Sequence, residues 1–247
     1  MPRAAAKQAE LEDGSRRRQG ETDVVVKRSE VSSATEDYLK AIYSLAEEND
    51  QVIAARVAED IGVTPSTMFS ALRRLEKEEF VRVERRKNIY LTPKGREVAE
   101  AILRRHFLTE RLLTDLLGLD WVTAHQEAHH LEHAISPVVE ERLAAILDNP
   151  STCPHGNPIP VKGEPSPRRE WKPLNTAEAG TEVIFRCITE TGERDAVLLS
   201  FLYDHEVRPG TGIDILDVAP SLGTISLKVG VNEVVLGLEA AKKIYVQ

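Results

Sequence analysis

The stretch HFLTERLLTDLLGLDWVTAHQEAHHLEH, residues 106–133, decides how the rest of the chain is organised. It holds five of the chain's seven histidines: His106, His125, His129, His130 and His133. On an α-helix, positions four apart stack on one face. His106 therefore shares a face with Glu110. His125, His129, Glu132 and His133 make a second stripe, with His130 off it. Two helices with facing imidazole and carboxylate stripes suit a divalent first-row transition metal. His155 and His205 lie outside the stripes and are read as structural histidines, as is His130.

Working upstream, Ser32 to Asp37 supplies capping residues for a first helix, followed by Tyr38, Leu39, Ile42, Tyr43 and Leu45 at helical spacing. Glu36 reads as its helix-start acid. Asp37, taken by itself, reads as another acid favoured by the helix dipole. A short helix over Ala54–Ile61 ends at Gly62. Thr64 caps the next helix, Pro65 opens it, and Met68, Leu72 and Leu75 form its inner face. Helix, glycine turn, helix is the helix-turn-helix pattern. Phe80–Glu84 and Asn88–Thr92 alternate apolar and polar around Arg85-Arg86-Lys87, which reads as a β-hairpin wing with a basic tip. Thr64, Pro65, Ser66, Thr67, Phe69 and Ser70 are placed to meet DNA, with Arg73, Arg85, Arg86 and Lys87 as phosphate contacts. No Arg or Asn stands at the start of the recognition helix for bidentate base reading, so part of the specificity is expected from DNA shape.

Residues 31–98 thus form a winged helix-turn-helix DNA-binding domain and 99–149 a helical metal-binding and dimerisation domain. The second begins with a long helix from Thr92-Pro93 to about Leu117. Next comes one helix carrying His125–His133 and reaching about Leu147. Its Ile135, Val138, Val139, Leu143 and Ile146 suggest a surface for a second copy. Prolines crowd Asn149–Pro173, so 150–176 reads as a semi-rigid linker. Short β runs at Glu182–Ile188, Gly212–Ala219, Thr224–Val229 and Glu233–Leu236, with a short helix in Asp195–Tyr203, make 177–247 a small β-barrel. Residues 1–30 read as a mobile polar tail, whose Arg16–Arg18 run is chiefly a solvated charge cluster. The fold class is mainly α with a small β domain.

The net charge of −8 argues mildly against nucleic acid, but the acid excess lies downstream. Residues 31–98 carry 11 Lys/Arg against 12 Asp/Glu, and the chain beyond carries 14 against 22. DNA binding must therefore come from a local basic cluster. No apolar run is long enough for a membrane span and no signal peptide opens the chain. Two isolated cysteines, Cys153 and Cys187, fit a reducing cytoplasm.

The chain resembles the iron- and manganese-dependent repressors of the diphtheria toxin repressor type. The resemblance rests on Thr35-Glu36-Asp37-Tyr38-Leu39, the helix-turn-helix of Glu59–Val81 and His106-x-x-x-Glu110-Arg111-Leu112-Leu113. It rests also on His125-x-x-x-His129-x-x-Glu132-His133 and Pro154-His155-Gly156-Asn157-Pro158-Ile159-Pro160. It covers about residues 31–160 and extends more weakly to an SH3-like third domain. It implies two metal sites per subunit: an activating site of Asp37, His129, Glu132 and His133, and an ancillary site of His106, Glu110 and His125. Asp195, with Glu193 close by, would be the third domain's contribution. Leu198 stands where some members have a second ligand from that domain. Iron-responsive members have Met and Cys where this chain has Asp37 and His129, and manganese-responsive members have Asp and Glu.

The expectation is therefore a metal-dependent transcriptional regulator, a non-enzyme, with Mn(II) favoured and Fe(II) second. It would repress metal-uptake genes as a homodimer on palindromic double-stranded DNA operators. Two other readings stand beside it. One is a metal-dependent hydrolase, which lacks a separate general base near the stripe. The other is a metal-independent winged-helix regulator.

Overall fold

The computed structural model describes residues 31–48, 51–84, 88–164 and 171–247. The polar tail and the Arg85–Lys87 tip lie outside the described residues. Helix α1 (Ser33–Glu48), α2 (Ala54–Asp60) and α3 (Pro65–Lys77) are followed by an antiparallel hairpin, β1 (Val81–Val83) and β2 (Ile89–Leu91). Then come α4 (Pro93–Arg111), α5 (Trp121–Leu131) and α6 (Pro137–Ile146). The expected winged helix-turn-helix is present. Leu39, Ile42, Val57, Met68, Leu75 and Ile89 are fully or almost fully buried in its core.

Three helices begin with the same local chemistry. Thr64, Thr92 and Ser136 each accept a hydrogen bond from a backbone N–H three residues on, and each is followed by proline at the first helical position. This start signal corrects the expectation of one helix from His125 to Leu147. Proline disfavours helical backbone in the residue before it. The chain therefore leaves α5 after Leu131, turns through Glu132–Ile135, and restarts at Pro137. Glu132 and His133 sit in that break. Upstream, α4 widens into a π-helical turn over Leu112–Leu116.

The linker expectation fails for its first half. Cys153, His155 and Asn157 have no exposure. The loop docks on β4 (Glu182–Ile188), where Ile188 N donates to His155 O at 3.2 Å. Gly156 permits this: its φ is +93°, and a Cβ there would lie 2.0 Å from the Arg186 carbonyl oxygen. Residues 165–170 are outside the described set.

The C-terminal domain adds β3 (Lys172–Pro173), α7 (Glu190–Glu193), α8 (Ala196–Asp204), β5 (Gly212–Ala219), β6 (Thr224–Val229), β7 (Asn232–Gly237), α9 (Leu238–Ala241) and β8 (Ile244–Val246). Its six strands run antiparallel in the order β3-β8-β4-β5-β6-β7. No ladder joins β3 to β7 among the described residues, so the expected barrel is an SH3-like open sheet. Trp121 of α5 packs into this domain's core beside Leu198, Leu199 and Leu202, which ties the helical layer to the sheet.

Candidate metal centre

Two clusters of imidazoles and carboxylates meet at Glu132. The outer one forms where the end of α5 faces α1. Asp37, His129 and Glu132 bring one donor atom each within 4.8 Å of one another. His129 Nδ1 is 3.2 Å from Glu132 Oε1. His133 Nε2 is 3.1 Å from Asp37 Oδ1 and 3.6 Å from Glu132 Oε1. Glu36 is not merely a helix-start acid. It is buried, and it accepts from His133 Nδ1 at 2.7 Å and from Arg105 at 3.1 Å. That bond orients the ring and leaves Nε2 turned toward Asp37 and Glu132. The neighbouring carboxylates of Asp37 and then Glu36 raise the His133 imidazole to about 9, against the opposing effect of burial.

The inner cluster lies between α4, α5, the 153–157 loop and α7. Glu110 Oε1 is 3.0 Å from His106 Nε2 and 2.9 Å from His125 Nδ1. Its Oε2 is 3.3 Å from His155 Nδ1. Glu193 approaches from the β domain, 3.3 Å from His125 Nδ1 and 3.2 Å from His155 Nδ1. Asn157 Nδ2 donates to it at 2.6 Å. His106 links the clusters, its Nδ1 lying 2.5 Å from Glu132 Oε2. Burial and Lys40 push the His106 ring down and the charges of Glu110 and Glu190 push it up, and it settles near 10. Burial pushes the Cys153 thiol up to about 12.

The third domain's contribution differs from expectation. Asp195 accepts from Leu198 N as the cap of α8 and pairs with Lys243 at 3.3 Å. Its neighbour Glu193 is the carboxylate that reaches the cluster. His155, read as structural, also faces it, and Glu110, Cys153 and His155 form a further convergent donor set. The Cys-Pro-His spacing was the available signal. His130 accordingly stays apart, on the Gln126 carbonyl.

Divalent cations suit this donor chemistry. Asp37 Oδ1, Glu110 Oε2, Glu193 Oε2 and His155 Nδ1 are buried and come within 3.1 to 3.3 Å of an opposite group without forming an aligned hydrogen bond. Within each cluster, donor atoms that converge without matched hydrogen bonds suit a shared cation. Raised imidazoles beside carboxylates are held protons, which a cation would replace.

In the winged domain, Thr64, Pro65, Ser66, Thr67, Phe69, Ser70 and Arg73 are all exposed, whereas Met68, Leu72 and Leu75 face inward. Phe69 is 53% exposed.

Three family models span the chain: an iron dependent repressor N-terminal DNA binding domain at residues 21–89, an iron dependent repressor metal binding and dimerisation domain at 92–161, and a FeoA domain at 172–247. The iron-dependent repressor IdeR of Mycobacterium tuberculosis is 36% identical over 89% of this chain and 99% of its own length. The chain belongs to the iron-dependent repressor family. It is a metal-dependent, DNA-binding transcriptional repressor of the diphtheria toxin repressor type. The diphtheria toxin repressor of Corynebacterium diphtheriae is 35% identical over 74% of this chain and 84% of its own. Among solved structures of the family's fold, a manganese-dependent transcriptional repressor in complex with manganese superposes with a TM-score of 0.78, at 31% identity over 86% of this chain and 98% of the other. No helix among the described residues is long and apolar enough to cross a membrane.

Proposed function

We propose that this repressor responds to Mn(II), with Fe(II) as the second choice, through two metal sites per subunit. The activating site uses Asp37, His129, Glu132 and His133. The ancillary site uses His106, Glu110 and His125, joined by Glu193 in place of Asp195. The observation that carries the reading is the convergence of Asp37 from α1 with His129 from the last turn of α5 and with Glu132 and His133 from the break after it. Two oxygen and two imidazole donors without a thiolate or thioether suit Mn(II) and Fe(II) over softer ions.

A bound divalent cation supplies the positive charge that lets these carboxylates and neutral imidazoles stay together. Asp37 then holds α1, and with it the helix-turn-helix, against the α5 break. Glu36 keeps the His133 ring in register. The exposed Val138, Val139 and Ile146 on α6 favour a homodimer through that face. Two copies present two recognition helices to successive major-groove turns of a near-palindromic double-stranded operator, about 34 Å apart. Thr64, Pro65, Ser66, Thr67, Phe69, Ser70 and Arg73 meet the groove and its phosphates, and Arg85, Arg86 and Lys87 the flanking backbone. The output is repression of metal-uptake genes in the cytoplasm, by binding rather than turnover, as the names of the relatives favour.

The test is operator affinity by fluorescence anisotropy with Mn(II), Fe(II), Co(II) and Zn(II) under reducing conditions. Mn(II) is expected to tighten binding at the lowest free concentration. By linkage, operator DNA should tighten Mn(II) binding by the same factor. Full-strength binding by the chelator-stripped protein would overturn the proposal.

A further inference from the structure

Lys40 lies one turn beyond Asp37 on α1 and is 3% exposed. Its ammonium sits 2.9 Å from Glu132 Oε2 and 3.3 Å from Glu190 Oε1. Burying an unpaired ammonium costs several kcal/mol, so its position is set by these two carboxylates. Neither oxygen of Glu190 makes an aligned hydrogen bond, and Lys40 is the cation paired with it. Glu132 Oε2 is claimed twice, by Lys40 and by His106 Nδ1, and only Oε1 faces His129 and His133.

We propose that Lys40 is a specificity-determining positioning residue whose ammonium, held between Glu132 and Glu190, occupies the place of a second cation and leaves Glu132 one metal-facing oxygen. The proposal rests on reading Asp37, His129, Glu132 and His133 as the activating site.

Two buried carboxylates without a counter-charge attract a divalent cation strongly, because charges in a low-dielectric interior interact several-fold more strongly than in water. A lysine there cannot dissociate. It fixes the local count of positive charge and makes the outer cluster a site for one ion. It also ties that cluster to the β domain. Glu190 opens α7, whose Glu193 enters the inner cluster. Thr191 donates to Glu48 of α1 at 2.5 Å, and Arg194 donates to the Asp60 carbonyl of α2 at 2.9 Å. Lys40 is thus the point where the activating carboxylate, the DNA-binding helices and the third domain share one charge.

The test uses the full chain, stripped with chelator and dialysed against Mn(II). Bound metal is counted by elemental analysis, and thermal melting is recorded with and without Mn(II). Lys40→Ala opens space between Glu132 and Glu190 and removes the cation they share. It is expected to bind one more Mn(II) per chain than the wild type and to gain more in melting temperature from Mn(II). Lys40→Met fills the space without charge, so it should keep the wild-type count while melting lower in the metal-free form. Glu190→Gln leaves the ammonium bearing on Glu132 alone and should raise the Mn(II) concentration for half-saturation roughly fivefold. The proposal is overturned if Lys40→Ala binds the wild-type number of ions with wild-type half-saturation, or if Lys40→Ala and Lys40→Met bind alike. Should neither Lys40 variant fold, Glu190→Gln decides, and an unchanged half-saturation overturns it. A Glu132→Gln protein with the wild-type count and affinity would instead overturn the activating-site reading, whatever Lys40 does.

Discussion

The outer and inner clusters are made of the same groups and differ in their surroundings. The His129 side chain is 55% exposed and Asp37 33%, whereas His106, Glu110 and His155 have no exposure and Glu193 has 1%. The inner charges cannot be solvated, so they must neutralise one another whether or not an ion is bound. Four parts of the chain meet there, which makes the cluster a frame. In the outer cluster Asp37 and His129 face water, and Glu132 and His133 sit at a helix break, where the backbone is not held by a continuous ladder. The difference argues for a division of labour, with stability from the inner set and responsiveness from the outer.

The sharpest way to break that division is Glu110→Ala. It leaves three buried imbalanced imidazoles and should lower unfolding free energy by about 3–5 kcal/mol in urea denaturation. A loss near zero would erase the contrast. On the outer side, His133→Ala should cost less stability than Glu110→Ala, yet abolish the Mn(II)-dependent gain in operator affinity. Glu36→Gln should weaken Mn(II) binding by roughly 10- to 100-fold through the ring it orients, measured by calorimetric titration.

The pH dependence sharpens the comparison further. His133 is raised above its ordinary 6.5 to about 9 by Asp37 and Glu36. Its contribution to the metal-free fold is therefore fully present below about 6.5 and is lost as pH rises through about 9. Binding an ion at Nε2 requires loss of that proton, so Mn(II) affinity should rise between pH 7 and 9, and His133→Ala should flatten the profile. The smallest effect is expected from Phe69→Ala, whose ring is exposed and belongs to neither cluster. Melting temperature and metal binding should stay at wild type, while discrimination between operator and mismatched DNA falls by about 1 kcal/mol.

Much of this was legible in residue order. Three strands, Glu182–Ile188, Gly212–Ala219 and Thr224–Val229, fall where their alternation puts them. The recognition helix begins at its Thr-Pro signal. The break after Leu131 was missed because the apolar spacing of Ile135, Val138 and Leu143 continued a helical period across Ser136-Pro137, and local punctuation overrode periodicity. His155 looked solitary, since nothing in sequence spacing brings it to Glu110, forty-five residues away. The choice between Asp195 and Glu193 turned on a one-turn helix that faces Glu190 and Glu193 toward the helical layer and spends Asp195 on a cap.

By itself, the sequence determined the elements, their order and the residue types able to hold a divalent ion, because helix caps, apolar period and histidine spacing act over a few residues. Only the tertiary structure decided which carboxylate meets which imidazole. Glu36 rather than solvent faces His133, Lys40 faces Glu132, and Glu193 rather than Asp195 enters the inner cluster. Those pairings depend on distances between segments far apart in the chain, and burial there makes every unpaired charge costly enough to select its partner.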